Sequence, residues 1–274
     1  MTTYSLGSDD AELTRLEQQS ARIAEPTRIL FRAAGIGPGM RVLDLGTGIG
    51  DSAVILAELV GPSGEVVGLD NDPRMVETAR ARCDGLANVS FVEGDVTRAP
   101  GDGEYDAVVS RLLVLHLADP AAVLRHYLGS VRPGGLVVTL DYDTRAAGAE
   151  PAVPLVSEMF GLVAATLRSA GADPTIGSRL QAIHADVGLE DIGALAITQY
   201  LPPDSPVGPG LLAGVVRSLA TRMVSLGLVT ADQLDVDTLH DRLAAALREA
   251  GAFFVPPTLA ASWGRRPGPV PHER

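Results

Sequence analysis

Arg41-Val42-Leu43-Asp44-Leu45-Gly46-Thr47-Gly48-Ile49-Gly50-Asp51 decides how this chain is read. A short apolar run ends beside an acid, a turn with glycine at every second position follows, and Ser52 to Val60 continues as an apolar, helix-like segment. Glycines in such a turn leave backbone open to a nucleotide-like ligand that side chains would otherwise cover. Twenty residues after Gly50, a second apolar run, Glu65-Val66-Val67-Gly68-Leu69, ends in Asp70. An acid at the tip of the neighbouring strand is placed to accept hydrogen bonds from ribose hydroxyls.

The turn is Gly-x-Gly-x-Gly after an acid, not the Gly-x-Gly-x-x-Gly of a dinucleotide site. The chain also has no lysine. That removes the tyrosine–lysine pair of many small dehydrogenases, the P-loop lysine and any pyridoxal Schiff base. Further segments follow in order: Phe91-Val92-Glu93-Gly94-Asp95-Val96, Tyr105-Asp106-Ala107-Val108-Val109-Ser110, and Val131-Arg132-Pro133-Gly134-Gly135 leading into Leu136 to Leu140. With the glycine turn, their order and spacing over residues 38–143 resemble the class I S-adenosylmethionine-dependent methyltransferases, in their bacterial small-molecule branch.

The resemblance implies an α/β, Rossmann-like fold: a seven-stranded, mostly parallel sheet whose last strand is antiparallel and inserted between two others, with a helical cap. Strand-like runs near 41–45, 65–70, 89–93, 104–110 and 135–141 alternate with helical segments at 51–60, 72–82 and 119–130, a pattern that calls for a parallel sheet covered on both faces. Residues 9–34 read as two helices broken near Pro26, with Asp9 and Glu12 at capping-box spacing. Beyond the core, helical character is expected at 151–170, 177–187, 208–227 and 231–250, and strand character at Leu189 to Tyr200. Phe253 to Trp263 reads as a last strand interrupted by Pro256-Pro257, which suits an edge or a bulge. One domain is expected over 1–274, with an N-terminal helical lid at 1–37, a cofactor-binding core at 38–143, and cap helices with the final strands at 144–274.

Composition narrows the partners. At 274 residues and 46% hydrophobic, the chain can bury one large core or one core with a lid. A formal charge of −12 repels phosphate backbones, so nucleic acid is an unexpected substrate. The single cysteine, Cys83, excludes an internal disulfide and fits a reducing compartment. No signal-peptide pattern opens the sequence and no apolar run approaches membrane-spanning length, so a cytoplasmic enzyme is expected. Arginine to the exclusion of lysine, with abundant alanine, points to a GC-rich bacterial genome. Monomer and homodimer both remain open.

The resemblance assigns roles residue by residue. Gly46, Gly48 and Gly50, with Thr47 among them, expose backbone to the methionine and ribose parts of S-adenosylmethionine, which leaves as S-adenosylhomocysteine. Asp44 stands where the family holds the cofactor's amino end; Asp70 takes the ribose, Asn71 is placed near adenine, and Asp95 with the Val96 amide reads the adenine edge. Arg111 is expected to pair with the methionine carboxylate or with Asp44, a bidentate role that lysine fills poorly. Tyr4 and Gln19 resemble a lid that closes over the cofactor.

For chemistry, His116 is the best-placed of five histidines, with an ordinary pKa suited to accepting a proton near neutrality. A histidine that merely bonds backbone at a helix start fits the same position. Asp141 and Asp143 are rival bases or acceptor anchors. No metal is expected, because the fourth strand ends in Ser110-Arg111 where a metal-dependent branch needs an aspartate. The function implied is methyl transfer to a small molecule, with a secondary metabolite as the expected acceptor. Two alternatives share the pocket: a non-methylating step such as cyclisation, and a non-catalytic binding protein.

Overall fold

Buried β-branched runs alternate with half-apolar segments along the first half of the chain, and the computed structural model assembles them into a doubly covered sheet. It describes residues 10–99 and 104–268, with side chains from residue 22 onward. Tyr4 lies outside the described residues, and Gln19 sits in the first helix with its side chain outside them.

Strands β1 (Arg41–Leu45), β2 (Glu65–Asp70), β3 (Val89–Glu93), β4 (Tyr105–Arg111) and β5 (Val131–Asp143) run parallel. Helices α2 (Asp51–Val60), α3 (Pro73–Arg82) and α4 (Pro120–Leu128) cross between them. The start signals of two of these helices are local. Asp72 accepts from the Arg74 amide at 2.9 Å and Asp119 from the Ala122 amide at 2.9 Å, each with proline at the first helical position.

The sheet order is β3-β2-β1-β4-β5-β9-β7, where β7 (Glu190–Ile197) and β9 (Thr258–Arg265) come from the second half. β9 is antiparallel to both its neighbours, as the resemblance implied. Register brings the site together. Leu45 lies beside Leu69 on one side and Ser110 on the other, so β1, β2 and β4 end level. The chain direction of the crossovers reverses between β1 and β4, which opens a crevice at their carboxyl ends.

Alternation along the strands divides the interior. Val42, Val66 and Val109 face one core with Leu30 and Phe31 of α1 (Asp10–Ala33) and Leu56 of α2. Leu43, Val108 and Val137 face another, with Leu124 of α4 and Leu180 of α6 (Leu180–Val187). A third core lies in the cap, among Met159 of α5 (Pro154–Ser169), Val216 and Met223 of α7 (Val207–Ser225), and Leu243 of α9 (Leu239–Ala250).

Three expectations need correction. α1 runs unbroken through Pro26. Proline removes one intrahelical hydrogen bond, but the packing of Leu30, Phe31 and Ala34 against the core holds the helix together. The helix expected over 231–250 is two, α8 (Ala231–Leu234) and α9, separated at Asp235, whose φ is +39°. Finally, Pro256-Pro257 divides the last strand into two that join different sheets. β8 (Phe253–Val255) pairs with a short β6 (Gly148–Glu150), and β9 enters the middle of the large sheet. Two residues without amide donors cannot sit in a ladder, whereas the proline-free stretch after them can be central. Among the described residues, no helix is long and apolar enough to cross a membrane.

Candidate functional site

The glycine turn is stitched to the tip of β2. The Gly46 and Thr47 amides donate to the Leu69 carbonyl at 2.8 and 3.0 Å, and the Gly48 amide donates to Asp70 Oδ2 at 2.8 Å. Asp70 Oδ1 accepts from the Asp72 amide at 3.0 Å, and burial raises the carboxyl above its ordinary pKa. Asp70 therefore shapes the turn as well as presenting an acceptor beside it.

The glycines do different work. Gly48, at φ +55°, would place a Cβ in open space, and it lines a cavity of about 420 Å³. Here backbone is left bare toward the cavity. Gly46 also lines the cavity, but a Cβ there would come within 2.9 Å of Leu113. Gly50 is off the cavity wall. Its φ is +85°, and a Cβ would press on Ala79, Cys83 and Phe91 at 3.2–3.3 Å, so it lets α2 start close against α3 and β3. The expectation that Gly50 exposes backbone to a ligand gives way to a packing role.

The resemblance sets Asp44 at the cofactor's amino end, often through water. It is fully buried behind the turn and off the wall, where Oδ2 accepts from the Ser52 hydroxyl at 2.6 Å. Desolvation pushes its pKa up to about 6. Its Oδ1 makes no hydrogen bond, with the Thr47 hydroxyl near enough only to ease the carboxylate's charge. Ser52 and Thr47 do line the cavity, so Asp44 reaches it through them.

Asn71, Asp95 and Val96 lie together on the wall beyond Asp70. Asp95 Oδ1 accepts from the Thr97 amide and hydroxyl at 2.8 and 2.7 Å, and these bonds hold its pKa below the usual carboxylate range. On the other side stands Arg111, its pKa lowered by desolvation against the opposing pull of Asp51, Asp44 and Tyr142. Asp51, to which the motif assigned no role, lines the cavity from the first turn of α2 and pairs with Arg82 Nη2 at 2.5 Å. An acid directly after a glycine turn and opening a helix was the available signal. After Arg111, Leu112 takes a left-handed φ of +56°, anchored by its amide to the Leu140 carbonyl at 2.8 Å. A bulky residue held in that region marks a constrained turn.

That turn leads into a short 3₁₀ segment, Val114–His116. Asp141 clamps it from β5: Oδ2 accepts from the Leu115 amide at 3.0 Å and Oδ1 from the Tyr142 amide at 2.8 Å. Asp141 is fully buried, off the cavity wall, and pushed up to about 7 by burial. Asp143, also off the wall, pairs with Arg145 at 2.7 Å. Neither faces the cavity as a rival base or anchor. His116 does line it, and burial lowers its pKa to about 4, well below the neutral range expected from the residue type alone. The imidazole is uncharged at neutral pH.

Past Arg111 and His116 the wall becomes apolar. Phe160 and Val163 of α5, Leu211 and Val215 of α7, and Pro256-Pro257 carry it, with Ile23 and Pro26 of α1 at the side. The cavity thus joins a polar end at the strand tips to an apolar chamber under the cap. The polar end suits a nucleoside-bearing group: bare backbone at Gly48, an acid at Asp70 and a half-buried arginine at Arg111.

A family profile described as a methyltransferase domain matches residues 36–172. Demethylmenaquinone methyltransferase of Staphylococcus aureus (strain JH9) is 30% identical over 113 residues, 41% of this chain and 44% of that protein. The chain spans less than half the length of the curated relatives it matches. Among solved structures, a Haemonchus contortus phosphoethanolamine N-methyltransferase in complex with phosphomonomethylethanolamine and S-adenosylhomocysteine superposes with a TM-score of 0.56 at 18% identity, over 89% of this chain and 52% of that one. A SAM-dependent methyltransferase from Aquifex aeolicus gives 0.51 at 20% identity, over 71% and 93%. These likenesses establish the fold, and the profile, spanning the glycine turn, the acidic tips and the His116 segment, establishes the family. The chain belongs to the methyltransferase domain family, on the class I S-adenosylmethionine-dependent scaffold.

Proposed function

We propose that this protein transfers a methyl group from S-adenosylmethionine to a small-molecule acceptor. The observation that carries the reading is the continuity of one cavity from the bare turn at Gly48 and the Asp70 carboxylate to an apolar chamber. In this reading Asp70 takes the ribose hydroxyls, Asp95 and the Val96 amide read adenine beside Asn71, and Gly46, Thr47 and Gly48 face the ribose and methionine parts. Arg111 holds the methionine carboxylate, and the charge of Asp51, itself tied to Arg82, favours the charged form of Arg111. Asp44 and Gly50 support the turn from behind. The lid role that the resemblance gives Tyr4 and Gln19 is part of the same proposal.

When bound, S-adenosylmethionine supplies a methyl carbon on a sulfonium, and the bonding pair leaves with sulfur. His116 accepts the proton of a hydroxyl acceptor. An imidazole with a pKa of about 4 is a weak base for a free hydroxyl, but bond formation at oxygen makes the proton strongly acidic, so a late transfer to His116 is downhill. The constrained turn at Leu112 and the Asp141 clamp fix where His116 stands. The apolar cap keeps water from competing as a nucleophile. A charge of −12 argues against nucleic acid as acceptor, and the resemblance to the small-molecule branch favours a secondary metabolite, met in the cytoplasm. Incubation with methyl-labelled S-adenosylmethionine and a bacterial metabolite extract tests this. A labelled small molecule is expected, and label recovered only in unreacted cofactor contradicts the proposal.

A further inference from the structure

α7 contains glycine at 208, 210 and 214. Glycine weakens a helix interior relative to alanine, so each position calls for a reason. Gly208 has one in packing: a Cβ there would lie 2.6 Å from Phe254 Cγ. Gly210 and Gly214 have none of that kind. Nothing stands within 4 Å of the Cβ either would carry, and both line the cavity. They are four residues apart and share a helix face, so bare helix backbone forms a ledge along the chamber. Leu211 and Val215 flank the ledge, and the same chamber is lined by Phe160, whose ring stacks on Phe254 at 5.7 Å and 27°.

Charge is distributed unequally along this wall. The carboxylates that line it, Asp51, Asp70, Asp72 and Asp95, follow strand tips at the polar end. Among the described residues, the cap contributes none. A cationic amine would enter the chamber without a counter-ion, which burial penalises, whereas an uncharged ring meets apolar walls. Resting on the methyl-transfer reading, we infer that the acceptor is an uncharged, ring-bearing hydroxyl compound seated against the α7 ledge, and that Gly210 and Gly214 set its size.

The test titrates 2-naphthol into the full chain saturated with S-adenosylhomocysteine, beside 2-phenylethylamine as a cationic probe. 2-Naphthol should bind at least about tenfold more tightly than the amine. Gly210→Val and Gly214→Val should each weaken 2-naphthol by about tenfold or more while S-adenosylhomocysteine affinity stays within about twofold. Gly210→Ala and Gly214→Ala, which favour the helix, should give smaller losses of 2-naphthol with unchanged or raised thermal stability, so a folding defect in the valine variants leaves the question decided. Tighter binding of the amine, no binding of 2-naphthol to the loaded protein, or equal binding by all glycine variants overturns the inference while leaving the methyl-transfer reading intact. Failure of the unmutated protein to bind S-adenosylhomocysteine overturns both.

Discussion

The two ends of the cavity are built by opposite means. At the polar end, directional bonds fix the turn and its acids: the turn amides to Leu69 and Asp70, Asp95 to Thr97, Asp51 to Arg82. At the cap end, apolar packing dominates, with Met159, Val216, Met223 and Leu243 fully or almost fully buried behind the wall, while polar ties such as Arg217 to the Val236 carbonyl at 2.8 Å lie at the surface. Hydrogen bonds and charges lose strength steeply with misplacement, so a wall that reads a charged, hydroxylated nucleoside must be rigid. Apolar contact is non-directional and tolerates repacking, so the cap can change its residues without disturbing the turn.

The seam between the two ends carries the largest expected effect. His116→Ala should lower methyl transfer to a hydroxyl acceptor by about 10²–10⁴-fold with cofactor affinity barely changed. The sign of the pH effect follows from the depressed pKa. The imidazole is the active form when neutral, so turnover should fall as pH drops through about 4 and stay flat across neutrality. The variant should lose that limb; a retained limb with a modest loss of rate would make His116 a positional residue.

Next in size is a change behind the cap wall. Met223→Ala, in the middle of the cap core, should cost about 2–5 kcal/mol of stability by chemical denaturation. S-adenosylhomocysteine affinity should hold, and a parallel fall in affinity would show that the two ends are coupled. Asp70→Ala should do the reverse. Cofactor binding is expected to weaken by about 1–3 kcal/mol, since a charged acceptor and the partner of the Gly48 amide are both lost. Calorimetry that shows unaltered affinity would remove Asp70 from the ribose site. The smallest effect concerns metal. With Arg111 at the end of β4, a strong chelator should leave turnover unchanged, and a loss restored by magnesium would contradict a metal-independent transfer.

The difference between the ends also governs what could be read from residues alone. The turn at 46–48 and its neighbour Asp70 were legible as one corner of a cavity because glycines and an acid at adjacent strand tips stand at short, fixed spacing. The strand order followed from the resemblance those motifs carry. Burial was not legible, because it depends on what packs from elsewhere. Asp44 and Gly50 look like ligand-facing members of the motif, yet one is sealed under Ser52 and a Cβ on the other would press on Cys83. His116 shows its type in sequence but not its depressed pKa, which desolvation sets. The same holds for the cap. Pro256-Pro257 announced an interruption but not that its two sides enter different sheets. Gly210 and Gly214 gave no local signal, since a helical glycine acquires meaning only from the space beside it.

Calorimetric titration of the purified chain with S-adenosylhomocysteine, and separately with NADH, tests the central claim most directly. The turn from Gly46 to Gly48 and the carboxylate of Asp70 predict saturable, micromolar-range binding of S-adenosylhomocysteine with no comparable response to NADH. Binding of NADH with no response to S-adenosylhomocysteine would contradict it.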